Sequence, residues 1–81
     1  MKKIKYFGAS WCGPCKSFKP IMKEIANDGY NVEFIDIDEN QQEAQSYGIM
    51  SVPTTIIIEG STELGRFVGA QPKNTIIERL K

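Results

Sequence analysis

Trp11-Cys12-Gly13-Pro14-Cys15 is the stretch on which the rest of this 81-residue chain is read. It holds the only two cysteines, and it stands between a short apolar run and a segment of helical periodicity. Two thiols therefore lie at the start of a helix, where free backbone N–H groups and the helix dipole favour negative charge. The thiolate is the reactive form of cysteine, and such a position lowers a thiol pKa from its free value of roughly 8.5. Reversible dithiol/disulfide chemistry is the first reading. A C-x-x-C pair is also half of a zinc site, but structural zinc takes four ligands. With no histidine and no third cysteine, one chain cannot complete such a site; zinc or an iron–sulfur cluster shared between two chains is the other use left open. A purely structural bridge between near neighbours closes a tiny loop and constrains the unfolded chain little.

Working outward, Ile4 to Phe7 reads as a short strand ending at Gly8-Ala9-Ser10. From Cys12 onward, Cys15, Phe18, Ile21, Met22, Ile25 and Ala26 recur at helical spacing, with Lys16, Lys19 and Lys23 on the other side. Pro20 falls inside that helix and is expected to kink it, and Asn27-Asp28-Gly29 ends it. Val32 to Ile37 reads as a second strand. Asp38-Glu39-Asn40 is expected to cap a short helix that runs to about Tyr47 and stops at Gly48. The β-branched run Thr54 to Ile58 reads as a buried strand, and Glu63 to Val68 returns after a turn as its hairpin partner. A last helix follows Pro72, with Ile76, Ile77 and Leu80 as its apolar face. The order β-α-β-α-β-β-α implies an α/β domain: a right-handed parallel crossover, a closing antiparallel hairpin, a four-stranded mixed sheet and helices on both faces.

Eighty-one residues fit one domain, 1–81. With 41% hydrophobic residues, 25% charged and zero net charge, the composition is that of a globular protein. The zero net charge and the lack of a basic stripe interleaved with aromatics argue against nucleic acid as a partner. No stretch is apolar enough for a membrane span. The basic start Met1-Lys2-Lys3-Ile4-Lys5 lacks an apolar continuation, so no signal peptide is expected and a cytosolic (cytoplasmic) dithiol is. Residues 1–23 carry six lysines and no acid, whereas residues 24–63 carry nine acids and no base. Opposite charges meeting in space is the simpler account of that split, and steering of partners is the alternative.

The chain resembles the thioredoxins. Trp11-Cys12-Gly13-Pro14-Cys15-Lys16 matches the family's active-site sequence, and Pro20 its helix proline. Tyr47-Gly48-Ile49 with Val52-Pro53-Thr54 resembles its cis-proline segment, and Val68-Gly69-Ala70 its last groove loop. Relative to an ordinary thioredoxin the leading strand and helix are missing, an outline similar to glutaredoxins and other short thioredoxin-like proteins. Tyr6 stands where the family usually places a buried aspartate six residues before the first cysteine, which implies a slower or differently tuned exchange. Gly13-Pro14 between the cysteines, and the absence of a Gly-Gly plus acid pattern after the last strand, argue against glutathione as a dedicated cofactor; no cofactor is expected.

The resemblance implies a thiol–disulfide oxidoreductase that reduces protein disulfides. Cys12 would be the attacking thiolate, partly exposed at the first turn, and Cys15 the resolving thiol one turn inward. Gly13 would admit the client's backbone, and Pro14 suits an early helix position. A cis Val52–Pro53 bond is expected opposite the cysteines, aiming the Val52 backbone at an extended client. Trp11 and Gly69 would wall the cleft, with Met50, Ser51 and Ala70 at its rim. Phe7, Phe18, Ile35 and Ile56 are assigned to the core, and Asp36 and Asp38 to a strand end and a cap. Disulfide-containing client proteins and a thioredoxin-reductase-like flavoprotein are the implied partners of a monomer. A glutaredoxin-like hydrogen donor and a non-catalytic binding subunit on the same scaffold are the competing readings.

Overall fold

The computed structural model describes all 81 residues. Its strands are β1 (Lys2–Gly8), β2 (Asn31–Asp36), β3 (Thr54–Glu59) and β4 (Thr62–Val68), and its helices α1 (Gly13–Asn27), α2 (Gln41–Ser46) and α3 (Lys73–Leu80). The sheet order is β2-β1-β3-β4. β1 runs parallel to β2, and the β1–β3 and β3–β4 pairs are antiparallel. The expected mixed sheet is therefore present, with its strand ends within one or two residues of those the sequence pattern suggested.

Alternation along β1 sorts the core into two layers. Ile4 and Tyr6 face α1 and α3, where they pack with Phe18, Met22, Ile25, Ile57, Ile76 and Leu80. Phe7 points to the opposite face and joins Ile35, Ile56 and Ile58, with Tyr47 and Ile49 of the α2 segment against them. β3 is buried at five of its six positions because both its faces are covered. The edge strand β4 is largely open to solvent. The four residues assigned to the core from sequence are all buried.

Lys5 shares the Phe7 face but ends in charge. Its Nζ lies 2.5 Å from Glu43 of α2 and 3.1 Å from Glu33 of β2, and it sits over the Tyr47 ring. On the other side Lys73 bridges Asp28 at 2.8 Å and Glu24 at 3.4 Å. The acid-rich middle of the chain thus meets bases from both ends. Helix α1 continues through Pro20 to Asn27, and Gly29, at φ +101°, turns the chain into β2.

The α2 cap differs from expectation. Asn40 holds the N-cap position, but its side chain makes no capping bond and donates to the Asp36 carbonyl at 3.1 Å. Asp36 orders the turn, its Oδ1 accepting the N–H of Asp38 at 2.8 Å. α2 is correspondingly short and begins only at Gln41.

Candidate active site

The site forms where the sheet's two central strands end. β1 stops at Gly8 and hands the chain to α1 through Ala9 to Cys12; β3 begins at Thr54, paired in register with Phe7. Cys12 is the N-cap of α1, in extended geometry at φ −85° and ψ 113°, with Pro14 in the first turn. Its Sγ accepts the Cys15 backbone N–H at 3.1 Å, so one of the helix's free donors points at this sulfur. Cys12 and Cys15 form a disulfide with Cα atoms 5.2 Å apart.

Both cysteines are buried, each 4% exposed, which corrects the expectation of a partly exposed Cys12. The physical reason is the bridged state: the sulfurs carry no charge to hydrate and pack as small apolar groups. Ala9 completes their cluster, and Ile37 and Val52 close against it. Accessibility thus does not separate the two residues; their neighbours do. Cys12 Sγ lies 3.6 Å from the Val52 carbonyl oxygen, on the side of the Pro53 loop. Cys15 faces the interior, where its carbonyl accepts the Tyr6 hydroxyl at 3.4 Å.

The Val52–Pro53 bond is cis, as expected. Around it the loop is tied to its neighbours: Thr54 Oγ1 donates to the Ser51 carbonyl at 2.7 Å, and Gly69 N–H donates to the Pro53 carbonyl at 2.7 Å. Gly69 adopts φ +90°, a conformation that makes glycine the natural residue there. The Val52 N–H has no hydrogen-bond partner within the chain.

Three of the chain's large exposed apolar side chains flank these loops: Trp11 at 65%, Met50 at 97% and Val68 at 62%. Trp11 is not core filler; its indole N–H donates to Asp38 Oδ2 at 2.9 Å. That contact gives Asp38 a task the sequence did not reveal, since the two residues are 27 positions apart. Gly13 is open, with nothing near the place a Cβ would occupy. The residues brought together at this end of the sheet are Trp11, Cys12, Gly13, Pro14 and Cys15 from the start of α1, Met50 to Pro53 from the cis-proline loop, and Gly69 and Ala70 beyond β4.

The Thioredoxin family profile matches residues 2–81. This chain belongs to the thioredoxin family. Its relatives include thioredoxin 2 of Chlorobaculum tepidum, 43% identical over 77 residues that cover 91% of this chain and 71% of that protein. A thioredoxin of Staphylococcus epidermidis is 38% identical over 81 residues, covering 96% of this chain and 78% of the relative. Among solved structures, the thioredoxin NaTrxh of Nicotiana alata superposes with a TM-score of 0.91 at 30% identity, over 98% of this chain and 70% of that one. The thioredoxin of Fasciola hepatica gives 0.88 at 29% identity, over 95% and 75%. A thioredoxin with its cysteine pair joined at the head of α1 is a thiol–disulfide oxidoreductase, a protein-disulfide reductase, and this chain has that pair.

Behind the disulfide lies a cavity of about 340 Å³, lined from β1 by Tyr6 and Gly8, from the following loop by Ala9 and Ser10, from α1 by Cys15, Lys16 and Lys19, and from β2 by Phe34, Ile35 and Asp36. At its inner wall Tyr6 stands edge-on to Phe34 and Phe18, with ring centres 5.6 and 5.9 Å away. Burial raises the pKa of the Tyr6 hydroxyl, which therefore stays protonated and donates. No three Cys, Asp or Glu side chains gather as a metal site.

Proposed function

We propose that Cys12 is the attacking thiolate and Cys15 the resolving thiol of a cycle that reduces disulfides in client proteins. The observation that carries this reading is the Cys15 N–H aimed at Cys12 Sγ at 3.1 Å on the first turn of α1. In the dithiol state that donor and the helix dipole favour charge on Cys12, whereas Cys15 faces the interior. Cys12 attacks a client disulfide; Cys15 then attacks Cys12 Sγ, releases the reduced client and restores the Cys12–Cys15 bridge.

The client is read as an extended segment. The free Val52 N–H offers it a main-chain hydrogen bond, as an added strand would take. Trp11, Met50 and Val68 supply exposed apolar surface beside the bridge. Gly13, Pro14, Ser51, Pro53, Gly69 and Ala70 shape the remainder of the groove. Thioredoxins act on disulfide substrates and are reduced by thioredoxin reductase; the donor proposed here is such a flavoprotein, acting on a monomeric cytoplasmic protein of one domain. No helix is long and apolar enough to cross a membrane.

Reduction of a protein disulfide with dithiothreitol as electron source tests the assignment. The native sequence turns over, Cys12→Ser is inactive and Cys15→Ser accumulates a mixed disulfide with the client. Normal turnover by Cys12→Ser overturns the choice of nucleophile.

A further inference from the structure

Resting on the client-reducing cycle above, and going beyond it to the kind of client, we propose that the row Lys16, Lys19 and Lys23 on α1 is a docking face for acidic residues flanking the disulfide of a protein client.

Every other side-chain cation is occupied within the chain. Lys3 and Lys5 meet Glu33, and Lys5 also meets Glu43. Lys73 meets Asp28 and Glu24, Arg66 meets Glu63, and Lys81 meets Glu78. Lys2 and Arg79 donate to backbone carbonyls. Of the ten lysines and arginines, that leaves Lys16, Lys19 and Lys23, all exposed and all without an ion pair or hydrogen bond. The acid-rich middle of the chain thus neutralises bases of β1 and α3 and passes over those of α1.

Spacings of three and four residues put the three ammonium groups on one face of the helix. Like charges at those spacings repel, and cations early in a helix oppose its dipole. No acid stands in the first turn to offset them. Lys19 has one compensating contact, over the Phe34 ring at 5.9 Å from its centre. The row weakens the helix that carries it, a local conflict of the sort that proteins keep where a function needs it.

The row is also placed to meet a client. Lys16 follows Cys15 directly, and at a rise of about 1.5 Å per residue the face runs about 10 Å along α1, the reach of about three extended client residues. Lys16 and Lys19 rim the cavity behind the disulfide. Asp36, the one acid lining that cavity, pairs with neither; its Oδ1 accepts the Asp38 and Glu39 N–H groups. The partial positive charge at the start of α1 adds to the field of the row. Asp38, held by the Trp11 indole, and the neighbouring Glu39 bear the opposite sign, so an acidic client is drawn to the α1 side and turned from the Trp11 side.

The test uses disulfide peptides of one sequence in which the positions around the cysteines are Glu, Gln or Lys. Pre-reduced protein is mixed with each, and the released thiols are counted by chromatography after an acid quench. Each rate is divided by that of dithiothreitol with the same peptide, which removes the peptide's own reactivity. At about 0.01 M ionic strength the Glu peptide should lead the Gln peptide about fivefold, the combined effect of a few exposed charge pairs, with the Lys peptide slowest. The differences should vanish near 1 M, where the screening length is about 3 Å. In Lys19→Gln/Lys23→Gln the lead should shrink to about twofold or less, and Lys19→Arg/Lys23→Arg should keep it. Peptides are compared on the same protein, so a change in folding or thiol reactivity cancels. Equal rates for the three peptides, or a lead that survives the glutamine pair intact, overturns the proposal and leaves the reductase cycle standing. Reduction of none of the peptides overturns the cycle, and this proposal with it.

Discussion

Thr55 offers the sharpest test of how the core is built. Its side chain is fully buried on β3, and its hydroxyl has no hydrogen-bond partner. In register it lies between Tyr6 of β1 and Phe67 of β4, on the face covered by α1 and α3. A buried hydroxyl without a partner costs about 1–3 kcal/mol. Valine has nearly the same shape and equal preference for a strand, so Thr55→Val removes that cost while filling the site. The expected gain is about 1–2 kcal/mol. For a chain of this size that is a rise in melting temperature of roughly 5–10 °C. Thr55→Ser should go the other way by about 1 kcal/mol, because it deletes a packed methyl and keeps the orphan hydroxyl. Urea unfolding of the oxidised protein reads both, and the midpoint should move with the m-value unchanged. A midpoint lowered by Thr55→Val would refute the reasoning, because the hydroxyl would then have a partner.

Other consequences can be measured separately. At Gly65 a Cβ would overlap the Arg79 guanidinium, which donates to the Leu64 carbonyl and lies over the Phe67 ring. Gly65→Ala should therefore be near neutral alone, the lost cation–π contact of about 0.5–1 kcal/mol offsetting a similar gain from a stiffer unfolded chain. It should stabilise an Arg79→Ala background, and equal effects in both backgrounds would show no coupling. Asp38→Ala should free the indole of Trp11, the only tryptophan. Its fluorescence anisotropy should fall, and an unchanged value would mean the contact does not hold the ring. The hydrogen bond from Lys3, with that from Lys5, holds the Glu33 carboxyl below its usual range. A depressed folded pKa gives stability that is present above the unfolded value and is lost as pH falls through the folded one. Glu33→Gln should flatten that acid limb in unfolding measured against pH, and an unaltered limb would exclude this network as its source.

The parts of the fold that were legible in the sequence are those governed by local periodicity. Cys15, Phe18, Met22 and Ile25 declared the buried stripe of α1, and the Thr54–Ile58 run declared a strand covered on both faces. What escaped depends on contacts between distant segments. The burial of Cys12 is set by Val52 and Ile37, which come from two other loops. Asp38 reads as an ordinary cap until the fold brings Trp11 to it. The turn before α2 is ordered by Asp36 because the chain folds back on the strand end there, whereas the pattern Asp38-Glu39-Asn40 pointed to a cap of its own. The cysteine pair, the cis-proline segment and Gly69 are each legible as short motifs, and in the fold Cys12 lies against Val52 and Gly69 against Pro53. The cavity beneath them left no mark in the pattern, because its lining is spread over three elements.

The pairing of Phe7 with Thr54 has a mechanical consequence. The segments that carry the disulfide and the cis peptide bond spring from adjacent interior strands, so they can separate only if the middle of the sheet is torn. β4 is paired on one side only, so it can open first, giving up its ties to the cis-proline segment: Thr54 with Val68 and the Gly69 N–H on the Pro53 carbonyl. Amide protons of β1 and β3 should accordingly outlast those of β4 in exchange with deuterated solvent, and the redox centre should persist until the molecule unfolds as a whole.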